Sequence, residues 1–173
     1  MTDILKNFEH EFGRHKELAD RAMAELSDEA FFARPADHVN SVAIIVKHLA
    51  GNLRSRWTDF LTSDGEKSDR NRDGEFVLTD QDTRANLLAA WERGWLAVFG
   101  AVAGLTEGDL EKKITIRGEP HTVFQALLRG LNHAAYHTGQ ILYVVRLLRP
   151  DSQWLTIAPG QSRTHDRRYL GTR

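Results

Sequence analysis

"TVFQALLRGLNHAAYHTGQILYVVRLL", residues 122–148, decides the fold, because it is a long helix marked at both ends. Thr122 with Gln125 three residues on is a capping box. The run ends before Pro150, whose ring cannot continue a helix. On a wheel of about 100° per residue, Phe124, Leu127, Leu128, Leu131, Ala134, Ala135, Leu142 and Val145 form one apolar arc. Ala126, Gly130, Ile141, Val144 and Leu148 extend it on one side. His133 and His137 stand at that side's edge, about 40° apart and one turn from each other.

Three further segments carry the same period. In the first, Ile4, Phe8, Phe12, Ala19, Ala22 and Leu26 recur at steps of three and four. The second, residues 41–61, starts at a cap on Asn40 or Ser41 and buries Val42, Ile45, Leu49, Leu53 and Phe60. The third opens at "TDQD", residues 79–82, where Thr79 and Asp82 form a capping-box pattern, and continues to Leu105. Between the first two, "SDEAFFARPADHVN" (residues 27–40) reads as a connection because of its proline and polar cluster. Residues 106–121 read as a turn followed by a short alternating run, Ile114 and Ile116, suited to a small hairpin. The irregular segment from residue 151 to 162 is expected to pack back through Trp154, Leu155 and Ile157. Four amphipathic helices with so little strand signal make an all-α four-helix bundle, and its long crossover connections permit parallel neighbours. One domain, residues 1–173, is expected.

The totals exclude several classes of function. The chain has 173 residues, 41% hydrophobic and 27% charged, the profile of a soluble globular protein. With no cysteine, it has no disulfide, thiolate nucleophile or thiolate-ligated metal, which suits the cytoplasm. No apolar run reaches the roughly 20 residues of a membrane span, and the acidic N-terminus does not read as a signal peptide. Net charge is −1 with the signs interspersed, so neither nucleic acid nor a membrane surface is an expected partner. The short basic tail "RTHDRRYLGTR", residues 163–173, reads as a solvated end. No glycine-rich phosphate loop is present, no serine sits in a nucleophile elbow, and "GQS" at residues 160–162 is a turn.

His48, on the second helix, falls on the inward side, within about 60° of Ile45 and near Asn52. An imidazole buried without partners costs about 1–3 kcal/mol. Spacing leaves two readings open: His48, His133 and His137 are hydrogen-bonded core histidines, or they meet at one metal with a fourth position free for water or substrate. A His-xxx-His pair without the glutamate of HExxH is weak evidence for a protease. His10, His15, His38, His121 and His165 fall on polar faces or in loops, and His121 is the reserve ligand. Asn52, Tyr136 and Gln140 are the neighbours suited to support the histidines or contact a substrate. No aspartate or glutamate is evidently placed as a general base. Trp57, Trp91, Trp95 and Trp154 read as core or interface residues.

"SVAIIVKHLAGNL" (residues 41–53) and "LNHAAYHTGQI" (residues 131–141), set in a four-helix bundle, resemble the DinB-like (YfiT-like) superfamily of metal-binding bundles. The loop "SDGEKSDRNRDGEF" and the tail "WLTIAPGQS" are similar to one of its uncharacterised subgroups. The resemblance implies that His48, His133 and His137 bind a divalent metal, zinc or nickel. It also implies an up-down-down-up bundle that pairs as a homodimer. Relatives of this kind act as metal-dependent hydrolases or as transferases using a low-molecular-weight thiol, so a small-molecule substrate is expected. The alternative is a metal-binding or dimerising module without catalysis.

The loop from residue 69 imitates a calcium loop through Asp69, Asn71, Asp73, Gly74 and Asp80. Arg70 and Arg72 oppose a cation there, and the preceding helix stops near Leu61, too early to enter it. The loop is instead expected at the mouth of a pocket, where Arg56, Arg70 or Arg72 would hold an anionic group.

Overall fold

The computed structural model describes residues 3–161, so the basic tail and His165 lie outside the described residues. It contains four long α-helices, one short one and a two-stranded hairpin: α1 (Ile4–Ala24), α2 (Asp28–Phe32), α3 (Val42–Trp57), α4 (Arg84–Ala103), β1 (Lys113–Ile116), β2 (Glu119–Thr122) and α5 (Val123–Leu148). The long helices close a ring in which α1 packs on α4 and α5, and α3 packs on the same two. No helix among the described residues is long and apolar enough to cross a membrane.

Each long helix begins where a side chain satisfies a free backbone donor. Asp3 caps α1, Ser41 caps α3 and Thr122 caps α5, where the reciprocal bond from Gln125 completes the box. The third long helix departs from expectation. Thr79 and Asp82 do bond each other, but around a turn, and α4 starts under Thr83, which accepts from Asn86. Asp82 is also held by Lys47 at 2.8 Å, and this ion pair ties the turn to α3. Within the supposed connection, Ser27 caps the single turn of α2 and buries Phe31. The end of α3 comes at Trp57 rather than near Leu61, since Asp59 takes a positive φ of 47° and turns the chain.

Three tryptophans form the centre. The Trp57 and Trp95 rings stand edge-on to Phe12 at 5.7 and 6.3 Å, and Trp91 meets Trp95 at 5.5 Å. Trp91 Nε1 donates to Asp20 Oδ1 at 2.8 Å, so the polar handle of a buried indole is satisfied across α1 and α4. Trp154 is instead surface-exposed under the Arg146 guanidinium, while Leu155 is the residue of its segment that joins the core. On α5 the buried face is turned from the expected arc towards the histidine side. Ala126, Ala134, His137, Thr138, Ile141 and Val144 are buried, whereas Leu128 is exposed.

The long stretch between α3 and α4 is pinned rather than loose. Asp64 accepts the backbone N–H groups of Glu66, Arg117 and Gly118, and Gly65 N–H bonds Thr115 O. That ties it to the hairpin, whose two-residue turn has positive φ at Arg117 and Gly118, the primed geometry that matches strand twist. Ile114 and Ile116 then point inward, as their alternation predicts.

Helices α3 and α4 approach closely at Gly94, where an added Cβ would lie 3.1 Å from Ala50 O and 3.2 Å from Leu53 Cβ. A large side chain must push the helices apart. Gly94→Leu is therefore expected to destabilise the fold by about 2 kcal/mol or more, read by chemical denaturation. Unchanged stability would show that α3 and α4 do not pack so tightly there.

Candidate metal centre

Ser41 starts α3 seven residues before His48, and Thr122 starts α5 so that His133 and His137 follow three and four turns later on one face. Because α3 packs against α5, the three imidazoles meet. Ring centroids are 4.5 Å apart for His133 and His137, 4.9 Å for His48 and His137, and 5.5 Å for His48 and His133. One ligand atom from each lies within 4.8 Å of the others. Among the described residues this is the one group of three or more potential ligands that could hold a metal ion.

Two of the rings are oriented by acceptors on their far side. Glu75 Oε2 lies 2.8 Å from His48 Nδ1, and Gln140 Oε1 lies 2.8 Å from His137 Nδ1. An acceptor at Nδ1 selects the tautomer that carries its proton there and leaves Nε2 a bare lone pair. The Nε2 atoms of His133 and His137 are 3.2 Å apart. Two bare lone pairs repel at this distance, so a proton on His133 or a cation must stand between them. Nitrogens bound at roughly 2.0–2.1 Å to one tetrahedral zinc stand about 3.3 Å apart, so the pair already has the spacing of a shared ion. His133 Nδ1 is buried with no hydrogen-bond partner among the described residues, so it is the histidine of the three with the least support behind it.

Glu75 was invisible to helix periodicity. It lies in a 3-10 turn, Asp73–Phe76, inside the stretch that resembles a calcium loop. Asp69 in that stretch pairs with Arg54 and Asn71 accepts from Gly74 N–H, so its oxygens do not converge on a cation. Arg70 folds inward and grips Glu75 with both Nε and Nη2, at 2.8 and 2.9 Å, while Phe76 packs on the His48 ring at 4.7 Å. Side-chain exposure is 6% at His48, 9% at Glu75 and 2% at Arg70, so this chain of charge and hydrogen bonds is dry. Burial by itself raises the Glu75 carboxyl; the bonds from His48 and Arg70 outweigh it and hold the group below the usual carboxylate range. Room for that carboxylate comes from Gly51, where a Cβ would overlap Oε1 of Glu75. The only sequence signal for Glu75 is an acidic residue that follows two arginines, Arg70 and Arg72, in a loop, and only the way the chain folds back brings it behind His48.

The remaining expectations divide. Gln140 supports a histidine as expected, and Asn52 lines the cavity next to His48. Tyr136 is exposed, with its ring centroid 5.0 Å from that of His137 in an edge-on arrangement. His121 bonds Glu119 O through Nδ1 and stays outside the cluster, while His10 and His38 are exposed. His15 is half-buried rather than exposed, because α1 turns it towards α5: its backbone oxygen accepts from Thr138, and its Nδ1 is buried without a partner.

A cavity of about 190 Å³ adjoins His48 and His133, with Asn52, Trp57, Ile114 and several arginines also in its wall. The three histidines can offer an ion three imidazole nitrogens, and two of them, His48 and His133, also border the partly apolar cavity, where a fourth position would be open to a small molecule.

Residues 1–161 match the family described as "Protein of unknown function (DUF1572)", and the chain belongs to that family. Among solved structures it is similar to a conserved protein from Enterococcus faecalis, known from a crystal structure, with a TM-score of 0.66 at 17% identity. The match covers 87% of this chain and 99% of that one, and shows a shared fold. No curated protein matches the chain. Neither match names the superfamily that the sequence resembles.

Burial holds His133 down to about 3, with the nearby His137 and His48 adding to the effect, and burial holds His137 down to about 4 against the Gln140 bond. The unfolded chain takes up a proton on each near pH 6.5, the folded chain only near 3 to 4. Unfolding therefore consumes protons in that window, and the stability of chelator-treated protein falls as pH drops from about 6.5 towards 4. His133→Gln/His137→Gln should flatten this slope, read by denaturant titrations across the range. An equal slope in the variant would place the titrating groups elsewhere.

Proposed function

We propose that this DUF1572 family member is a divalent-metal-dependent enzyme acting on a small molecule, with His48, His133 and His137 as the metal ligands. The observation that carries the reading is the 3.2 Å pair of Nε2 atoms facing His48, with the opposite nitrogens of His48 and His137 already committed to Glu75 and Gln140. A proton on His133 Nε2 would make the pair an ordinary hydrogen bond; what favours a shared ion is that His48 converges on the same two rings. The donor set is all imidazole, which suits zinc or nickel over calcium or magnesium.

When bound, a divalent ion there supplies Lewis acidity to a small polar molecule beside it. The protein's residues do the rest. Glu75 keeps the proton on His48 Nδ1 and fixes the ring, with Arg70 holding the carboxylate in turn. Gln140 does the same for His137. Asn52 offers an amide to a molecule in the cavity, while Trp57, Ile114 and Ile116 give that space apolar walls that limit water. No carboxylate lines the cavity, and Glu75 sits behind His48, so neither is positioned as a general base. Hydrolysis and transfer to a low-molecular-weight thiol both fit such a site. The DinB-like superfamily, its up-down-down-up helix order and a homodimer belong to the same proposal. Tyr136, Tyr143 and Leu147, exposed along α5, offer apolar surface to a second copy.

The alternative, a structural or sensory metal clip, needs a fourth protein ligand, and the ligand group has three members among the described residues. The cavity beside it favours the enzyme.

Protein purified with ample zinc or nickel and never exposed to chelator is expected to carry about one divalent ion per chain. His48→Ala, or His133→Ala/His137→Ala, should abolish binding with helical content nearly intact. Wild-type protein that holds no metal and takes none up by elemental analysis would end the proposal. Glu75→Gln, which leaves Arg70 its bonds to Glu66, and Gly51→Ala, which displaces the Glu75 carboxylate, should each weaken metal binding by about 10–100-fold in a chelator competition. Affinity equal to wild type in both would mean that Glu75 does not support the ligand.

A further inference from the structure

The cavity next to the histidines is unusually cationic. Arg56, Arg70, Arg72, Arg117 and Arg129 all line it, and no aspartate or glutamate does. Behind the wall, Glu66 Oε2 alone serves three guanidinium groups: Arg56 Nη2 at 3.0 Å, Arg70 Nη1 at 3.2 Å and Arg117 Nε at 3.2 Å. Arg70 has Glu75 as well, which leaves Arg56 and Arg117 to share one carboxylate. Among the described residues Arg129 pairs with no carboxylate; its neighbour is His121 Nε2, 3.4 Å away.

The excess charge has an unmet hydrogen-bonding counterpart. Arg56 is 14% exposed, and its Nη1 is buried with no partner among the described residues. Trp57 Nε1, on the next residue and also in the cavity wall, is likewise buried and unpartnered. Its ring fits beside α5 because Gly130 has no side chain, since a Cβ there would overlap the indole. A buried donor left unpaired costs about 1–3 kcal/mol, and more for a charged group. Burial and then the repulsion of Arg70, Arg117 and Arg129, partly offset by Glu66, hold Arg56 below the ordinary arginine range. A negative charge in this cavity would offset the crowding of guanidinium groups around Arg56.

We propose that this cavity is an oxyanion subsite, which binds a carboxylate or phosphate group of a small molecule through Arg56, with Arg129 and Arg117 at its walls. It deepens the enzyme reading and rests on it in one respect: the bound molecule would extend from the arginines to the histidines, so the substrate is a small acid or phosphate ester. Arg70, expected from the sequence to hold such a group, is instead committed to Glu75 and Glu66. A planar guanidinium matches either oxyanion with two parallel bonds.

Inorganic phosphate and succinate, each titrated into chelator-treated full-length protein against chloride at matched ionic strength, test the proposal by calorimetry. One of the two should bind saturably, at one per chain. Tighter phosphate binding points to a phosphate ester, tighter succinate binding to a carboxylic acid. Arg56→Met and Arg129→Met should weaken binding tenfold or more, while Arg54→Met, paired with Asp69 outside this cavity, should not. If Arg56→Met does not fold, Arg129→Met and Arg56→Lys carry the comparison, and both must weaken the binding. Neither anion binding better than chloride overturns the proposal, as does equal affinity in the Arg56 and Arg129 variants. The same titration on His48→Ala separates the two claims. Anion binding retained there, in a protein whose wild type takes up no metal, would leave the oxyanion subsite standing and remove the metal-dependent reading alone.

Discussion

The site depends on one buried relay, from Arg70 through Glu75 to His48. Each member is nearly excluded from water, and each is tolerable there only because of the next. Removing one partner of such a chain leaves an uncompensated charge, which costs about 3–5 kcal/mol on the scale of buried pairs. The relay therefore draws the segment after α3 back over the bundle, and Asp64 fastens the same segment to the hairpin. Both ends of that long connection are fixed by polar contacts to elements that helix packing has already placed. The loop is thus part of the site and not a tether between helices.

From this relay follows a division of labour among the histidines. His48 is held by a carboxylate, His137 by an amide, and His133 by nothing at Nδ1. The three are inequivalent although their spacing on the helices gives no hint of it. His48 is the most firmly oriented of the three, and His133 the least. On the other side of His48 and His133 lies a cavity whose charge is opposite to that of the carboxylate behind His48. The loop thus contributes both the carboxylate behind His48 and, through Arg70 and Arg72, part of the arginine-rich wall.

Much of the fold was legible in the sequence. The caps at Ser41 and Thr122, the stripes of α1 and α3 and the Ile114–Ile116 hairpin all follow from local chemistry, and the structure has them. What escaped depended on neighbours distant in sequence. Asp82 looked like part of a helix cap, yet it is shared with Lys47, and α4 starts later. His15 looked exposed by its polar neighbours and is half-buried where α1 meets α5. The three histidines could be found because helical period and inward faces are local properties. Glu75 and the unpaired Nη1 of Arg56 could not, since a loop carries no period that reports what lies behind it.

X-ray absorption at the metal edge of zinc-loaded protein, paired with the His48→Ala variant, reaches the central claim most directly. The account predicts three imidazole nitrogens at roughly 2.0–2.1 Å around one ion, plus one exchangeable oxygen ligand. It also predicts that His48→Ala, carried through the same loading, retains no ion with this three-imidazole shell. A first shell dominated by carboxylate oxygens, with Glu75 bound directly to the ion, or a spectrum unchanged by His48→Ala, would contradict it.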